Sequence, residues 1–112
     1  MHLTVDSSSQ LTCIAIEGEL DTATAPDLEA AIETCTADGV TALILDLTAT
    51  DYVSSMGLRV FLSTLKSLKA SGGRLVLAGL NDEVQEIIDL AGFAPLFEIY
   101  PTVDQARQSL AD

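Results

Sequence analysis

The stretch Ala42-Leu43-Ile44-Leu45-Asp46-Leu47 is almost entirely aliphatic. So apolar a run, without the alternation of a one-sided strand, predicts a central strand covered on both faces. A loop is expected after it over residues 48–53, and Ser54-Ser55 then opens a helix with apolar positions Leu58, Phe61, Leu62, Leu65 and Leu68. Ser71-Gly72-Gly73 stops that helix, and residues 74–78 form a second apolar strand. Strand, helix and strand in this order predict a parallel crossover.

Upstream, strand-like residues 2–6 and 11–17 flank the polar turn Asp6-Ser7-Ser8-Ser9-Gln10 and predict a hairpin. Thr24-Ala25-Pro26-Asp27 supplies a cap and an early proline for a helix with Leu28, Ala31, Ile32 and Cys35 on one face, ended by Asp38-Gly39. Downstream, Asn81 caps a helix with Val84, Ile87, Ile88 and Ala91 on one face, and residues 96–99 read as a last short strand. Pro101-Thr102 opens a terminal helix carrying Val103, Ala106 and Leu110, with Thr102 and Gln105 at capping-box spacing. The expected order is ββαβαβαβα. This is a single α/β domain over residues 1–112, a mainly parallel β-sheet with an N-terminal hairpin strand and flanking helices. At 112 residues a chain buries roughly two-thirds of its unfolded surface, so neither metal nor disulfide is needed to hold it. The composition, 48% hydrophobic with 4% aromatic residues and no tryptophan, describes an aliphatic core.

Five Lys+Arg against 17 Asp+Glu leave a formal charge of -12, which argues against nucleic acid and anionic membrane surfaces as partners. Residues 1–58 contain no lysine or arginine but hold Asp6, Glu17, Glu19, Asp21, Asp27, Glu29, Glu33, Asp38, Asp46 and Asp51. Arg59, Lys66, Lys69 and Arg74 follow in a stretch without acids. Such a layout serves solubility, or a docking surface for a basic partner protein. Cys13 and Cys35 sit in apolar runs and form no CxxC, so they read as buried small hydrophobes in a reducing compartment. The only histidine, His2, lies beside the terminus, which leaves a Ser/His/Asp triad or a histidine metal site without support. No 18-residue apolar run and no signal-peptide pattern occur. A soluble, cytoplasmic protein without membrane insertion is expected.

Phosphate-binding loops of the GxxxxGK[ST] or GxGxxG type are absent, and Gly72-Gly73 falls between a helix and a strand, the wrong side for a phosphate cradle. Asp21, Asp46 and Asp51 lie near expected strand ends, where α/β folds place their sites. With no histidine or adjacent base they specify no reaction, though an acid-based hydrolase or a Mg²⁺ site stays open on these residues alone. No catalytic residue, cofactor or metal is assigned.

The most informative segment is Ser54-Ser55-Met56-Gly57-Leu58-Arg59. A helix N-cap accounts for one serine. With Leu58 at zero and 100° per residue, Phe61, Leu62, Leu65 and Leu68 fall within about 80° of it, whereas Met56 lies at about 160° and Val60 at about 200°. Met56 and Val60 are therefore expected as an exposed apolar pair beside the serines. Gly57, at a helix cost of about 1 kcal/mol relative to alanine, fits close approach by a partner backbone.

Taken with the order of elements, these residues resemble the anti-sigma factor antagonists, the bacterial STAS-domain proteins. The resemblance runs through Gly18-Glu19-Leu20-Asp21-Thr22-Ala23, Leu45-Asp46-Leu47, Tyr52-Val53-Ser54-Ser55-Met56-Gly57-Leu58 and Gly72-Gly73-Arg74-Leu75. It implies a protein that binds an anti-sigma factor which is also a serine kinase, frees the sigma factor, and is switched off by phosphorylation until a phosphoserine phosphatase restores it. By position it implies Ser55 as phosphoacceptor, with Ser54 as the alternative. It also implies Asp21, Thr22, Ser54, Met56, Gly57, Arg59 and Val60 as partner-binding residues. Ser54, Met56 and Arg59 depart from the aspartate, Ser/Thr and glycine often found at these places. The same fold also serves as an unphosphorylated interaction subunit of a transporter or a lipid-trafficking complex, and this alternative stays open.

Overall fold

The computed structural model describes residues 1–8 and 11–110, the side chain of Ser8 excepted. Strands β1 (His2–Ser8) and β2 (Leu11–Leu20) pair antiparallel, from His2 opposite Glu17 to Ser8 opposite Leu11, as the hairpin reading expects. Ser9 and Gln10 of the expected turn lie outside the described residues. The first half of β2 pairs in parallel with β3 (Ala42–Asp46), Leu11 opposite Ala42 and Ala15 opposite Asp46.

The far end of β2 takes a second parallel neighbour, β4 (Thr50–Val53), with Leu20 opposite Val53. Here the structure corrects the sequence reading, which placed residues 48–53 in a loop. Thr50 and Val53 are buried while Asp51 and Tyr52 are exposed, so β4 lacks the apolar run or regular alternation that marks a strand. Its support is tertiary. The Thr50 hydroxyl donates to the buried Ile16 carbonyl at 2.6 Å. Asp46 turns the chain out of β3 by accepting from the Thr48 backbone N–H (3.0 Å) and hydroxyl (2.6 Å). The ladder shifts register between Gly18 and Glu19, where Gly18 has φ +98°, a backbone conformation that costs glycine nothing.

Strand β5 (Arg74–Ala78) pairs in parallel with β3, and β6 (Glu98–Tyr100) with β5, so the sheet runs β1-β2-β3-β5-β6. The last strand is displaced from the expected residues 96–99, because Ala94–Leu96, with Pro95 inside it, is a 3-10 turn. Helices α1 (Ala25–Ala37), α2 (Ser55–Ala70) and α3 (Asp82–Leu90) pack on one face of the sheet, against Leu43, Leu45, Leu47, Leu75 and Leu77. Helix α4 (Val103–Leu110) covers the other, with Ala106 on Cys13, Ile44, Val76 and Ala78. The aliphatic strands alternate between two apolar layers, which is why they read as continuous runs. Arg74 pairs with Glu98, and its Nη1 donates to the Ser109 carbonyl at 3.2 Å; Arg107 pairs with Asp6 at 3.2 Å. Cys13 and Cys35 are buried free thiols, and burial pushes both thiol pKa values up.

Phe61 of α2 is fully buried and meets Phe97 edge-on, with centroids 6.4 Å apart and planes at 81°. Phe61→Ala is expected to cost about 3–5 kcal/mol, measured by urea unfolding with an unchanged m-value. A loss under about 1 kcal/mol would mean that this ring is not the anchor of the helical layer.

Candidate partner-binding site

Two chain segments leave the sheet side by side. Leu20 ends β2 opposite Val53 at the end of β4, and the Ser54 N–H donates to the Leu20 carbonyl at 2.8 Å. The turn after Leu20 and the first turn of α2 are therefore neighbours by register. This pairing brings together two sequence-distant groups of expected site residues, Asp21 and Thr22 with Ser54 and Ser55.

Asp21 shapes its own turn. Its Oδ1 accepts from the backbone N–H groups of Ala23 and Thr24, both at 3.0 Å, and from the Thr24 hydroxyl at 3.1 Å. The Asp21 N–H in turn donates to Thr24 Oγ1 at 2.9 Å. Thr24 stands at the N-cap position of α1, but its side chain caps no α1 N–H and serves this turn instead. These bonds favour the ionised carboxylate, with those from Thr24 leading, and hold the Asp21 pKa below its ordinary value of 3.8. Thr22 is exposed beside it.

The two serines differ in what they do. Ser54 is half-buried, and its Oγ accepts the Gly57 N–H at 3.2 Å as the N-cap of α2. Ser55 is exposed at the first helical position, and its hydroxyl has no hydrogen-bond partner among the described residues. The first turn of α2 holds no acid, whereas those of α1, α3 and α4 hold Asp27, Asp82 with Glu83, and Asp104.

Two expectations for this helix are overturned. Val60 is only 5% exposed, and Met56 is half-buried against the core, so they do not form an outer apolar pair. The buried positions of α2 run from Val60 through Gly57 and Phe61 to Leu58, an arc of about 160°. It is that wide because α2 is covered by α1 as well as by the sheet. Leu58 lies at the edge of this arc, not at its centre. Gly57 is buried too, and its close approach is internal. A Cβ there would stand 2.8 Å from Leu20 Cδ2 and 2.9 Å from Val53 Cγ1.

The apolar recess beside Ser55 lies on the opposite flank. A groove of about 310 Å³ is lined by Ser55, Leu58, Arg59, Leu62, Ala91 and Phe93, with Leu90 81% exposed at the end of α3. Leu62 and Ser55 sit about 40° and 60° from Leu58 on the helical wheel, a signal available in the sequence. Ala91 and Phe93 reach the groove only through tertiary packing. Between β4 and the start of α3, Asp51, Asp82, Glu83 and Asn81 line an acidic hollow of about 370 Å³. Asn81 joins its two walls, since its Nδ2 donates to the Thr50 carbonyl at 2.9 Å while its Oδ1 caps Val84 at 2.8 Å. Among the described residues no three of His, Cys, Asp or Glu form a metal donor set, and Asp46 is engaged in its own turn.

The fold and this arrangement define a class. The chain matches the STAS domain family over residues 2–106 and belongs to it. It is 36% identical over 86 residues to the anti-sigma-B factor antagonist of Listeria monocytogenes, covering 77% of this chain and 75% of that protein. An anti-sigma factor antagonist from Mycobacterium paratuberculosis has the same fold, with a TM-score of 0.89 at 31% identity over 99% of this chain and 94% of that one. The phosphorylated form of the Bacillus cell fate determinant SpoIIAA shares the fold as well, with a TM-score of 0.77 at 21% identity over 97% and 99% of the two chains. Among the described residues no helix is long and apolar enough to cross a membrane.

Two measurements test this geometry. Gly57→Ala removes a helix penalty of about 1 kcal/mol but overpacks a closed contact at about 1–3 kcal/mol, so a net loss of stability is expected in denaturant unfolding. A gain would show that Leu20 and Val53 give way freely. For Asp21, whose folded pKa is depressed, the turn's stabilisation is complete above the unfolded pKa of about 3.9 and is lost as pH falls through the folded value. Carboxyl NMR should show Asp21 titrating below its ordinary value of 3.8, and Thr24→Ala should move it back up.

Proposed function

We propose that this chain is an anti-sigma factor antagonist, a non-enzymatic cytoplasmic binding switch. It captures an anti-sigma factor that is also a serine kinase, so releasing the sigma factor, and phosphorylation of Ser55 turns it off. The relatives named anti-sigma factor antagonists support the general role. The observation that carries the switch is the division between adjacent serines: Ser54 is occupied as the helix cap, and Ser55 is exposed at the head of a helix whose first turn lacks an acid.

In the phosphorylation step Ser55 Oγ attacks the γ-phosphorus of ATP held by the kinase. The new Oγ–P bond replaces the bond to ADP, which leaves, and the hydroxyl proton passes to a base on the kinase. A phosphoserine phosphatase reverses the change with water, returning the hydroxyl and inorganic phosphate. The phosphate adds about -1.5 to -2 charges at a helix N-terminus, where an anion is tolerated, so the fold persists. Docking does not, because a partner covering Asp21, Thr22, Ser54, the exposed part of Met56 and Arg59 must desolvate that anion. A differential of about 1–3 kcal/mol weakens binding by about 5- to 150-fold. The acidic hollow at Asp51, Asp82 and Glu83 steers a basic partner toward the same edge.

The test is peptide mapping of protein recovered from its native cells, with binding measured on Ser55→Asp. One phosphate on Ser55 is expected, together with loss of the complex at unchanged circular dichroism and melting. Full-strength binding by Ser55→Asp would falsify the switch. An unmodified protein in every growth condition would favour the reading as an interaction subunit without a phosphorylation cycle.

A further inference from the structure

Arg59 stands apart from the other arginines. Arg74 and Arg107 are held in ion pairs with Glu98 and Asp6, while Arg59 is exposed and makes no ion pair among the described residues, in a chain of net charge -12. It lies four residues after Ser55 on the same helix, and both line the groove closed by Leu58, Leu62, Ala91 and Phe93, where Arg59 is the one charged side chain. Positions i and i+4 are neighbours on a helix surface, and side chains lean toward the N-terminus, so Ser55 is within the span of a side chain at position 59. An anion N-terminal to a cation is the favourable order of such a pair.

We propose that a phosphate on Ser55 is held by the Arg59 guanidinium, one helical turn away, closing the mouth of the groove. The inference rests on the reading of Ser55 as phosphoacceptor. Modification then acts twice, adding an anion at the docking edge and withdrawing from a partner the groove's one charged side chain. The planar guanidinium fork matches two phosphate oxygens, which a lysine ammonium at the same place does not reproduce. The first turn of α2, free of acids, offers the phosphate no repulsion from its own helix.

The full chain, produced with phosphoserine inserted at position 55 during translation, allows the pair to be measured without kinase or partner. Phosphorus NMR follows the second ionisation of the phosphate in the parent and in the Arg59→Gln and Arg59→Lys variants. The helix N-terminus is common to all three, so differences report residue 59 alone. The parent is expected to titrate lower than Arg59→Gln by about 0.3 pH unit or more, with Arg59→Lys between them. The gap should shrink as salt is raised, and the Arg59 Nε resonance should move with the phosphate titration. Equal titration in parent and Arg59→Gln, with an Arg59 Nε signal that ignores the phosphate, overturns the proposal. Because the phosphate is installed during translation, that failure is separate from failure of the switch, which native peptide mapping reads.

Discussion

The first turn of α2 lies on Leu20 and Val53 with no room for a side chain between them. Gly57 makes this contact, and a Cβ in its place would fall under 3 Å from both residues. The geometry of the site follows from it. Leu20 and Val53 end two parallel strands in register, and the Ser54 N–H closes onto the Leu20 carbonyl. Strand ends, helix start and the Asp21 turn are thereby fixed to one another before any partner arrives, so little ordering remains to be done on binding. The glycine costs helix propensity and returns a seated helix terminus beside an exposed serine.

Electrostatics builds on that seat. Among the described residues, helices α1, α3 and α4 carry acids in their first turns, the usual complement to a helix dipole, and α2 does not. Around it lie Asp21, whose carboxylate is consumed in part by its own turn, and the acidic hollow of Asp51, Asp82 and Glu83. This helix terminus has no acid in its first turn, and one turn along stands an arginine without an ion pair among the described residues, on a molecule of charge -12. The apolar recess beside Ser55 is the groove formed by Leu58, Leu62, Ala91 and Phe93.

Several features were legible because local chemistry was sufficient for them. The aliphatic run at residues 42–47 marks a doubly covered strand, Asn81 acts as the cap its side chain predicts, one serine of the Ser54-Ser55 pair caps α2, and Ser71-Gly72-Gly73 ends that helix. Other features depended on neighbours. Strand β4 exists because Thr50 finds the Ile16 carbonyl and because β2 is long enough to accept a second parallel partner. Val60 is buried because α1 crosses α2 on the side that the wheel, centred on Leu58, assigned to solvent. A helical wheel gives the directions of side chains, not the number of faces that will be covered.

The residue pattern alone determined the alternation of strands and helices apart from β4, the two-layered apolar core, the acidic balance and the pair of serines at a helix start, since each depends on side-chain type and spacing within one element. Tertiary structure decided which serine is occupied and which exposed, that Gly57 serves an internal contact, and that the apolar recess beside Ser55 is the α2–α3 groove. These outcomes turn on what lies within a few ångströms across the sheet or from another helix, and that proximity comes from strand register and helix packing between segments far apart in the chain.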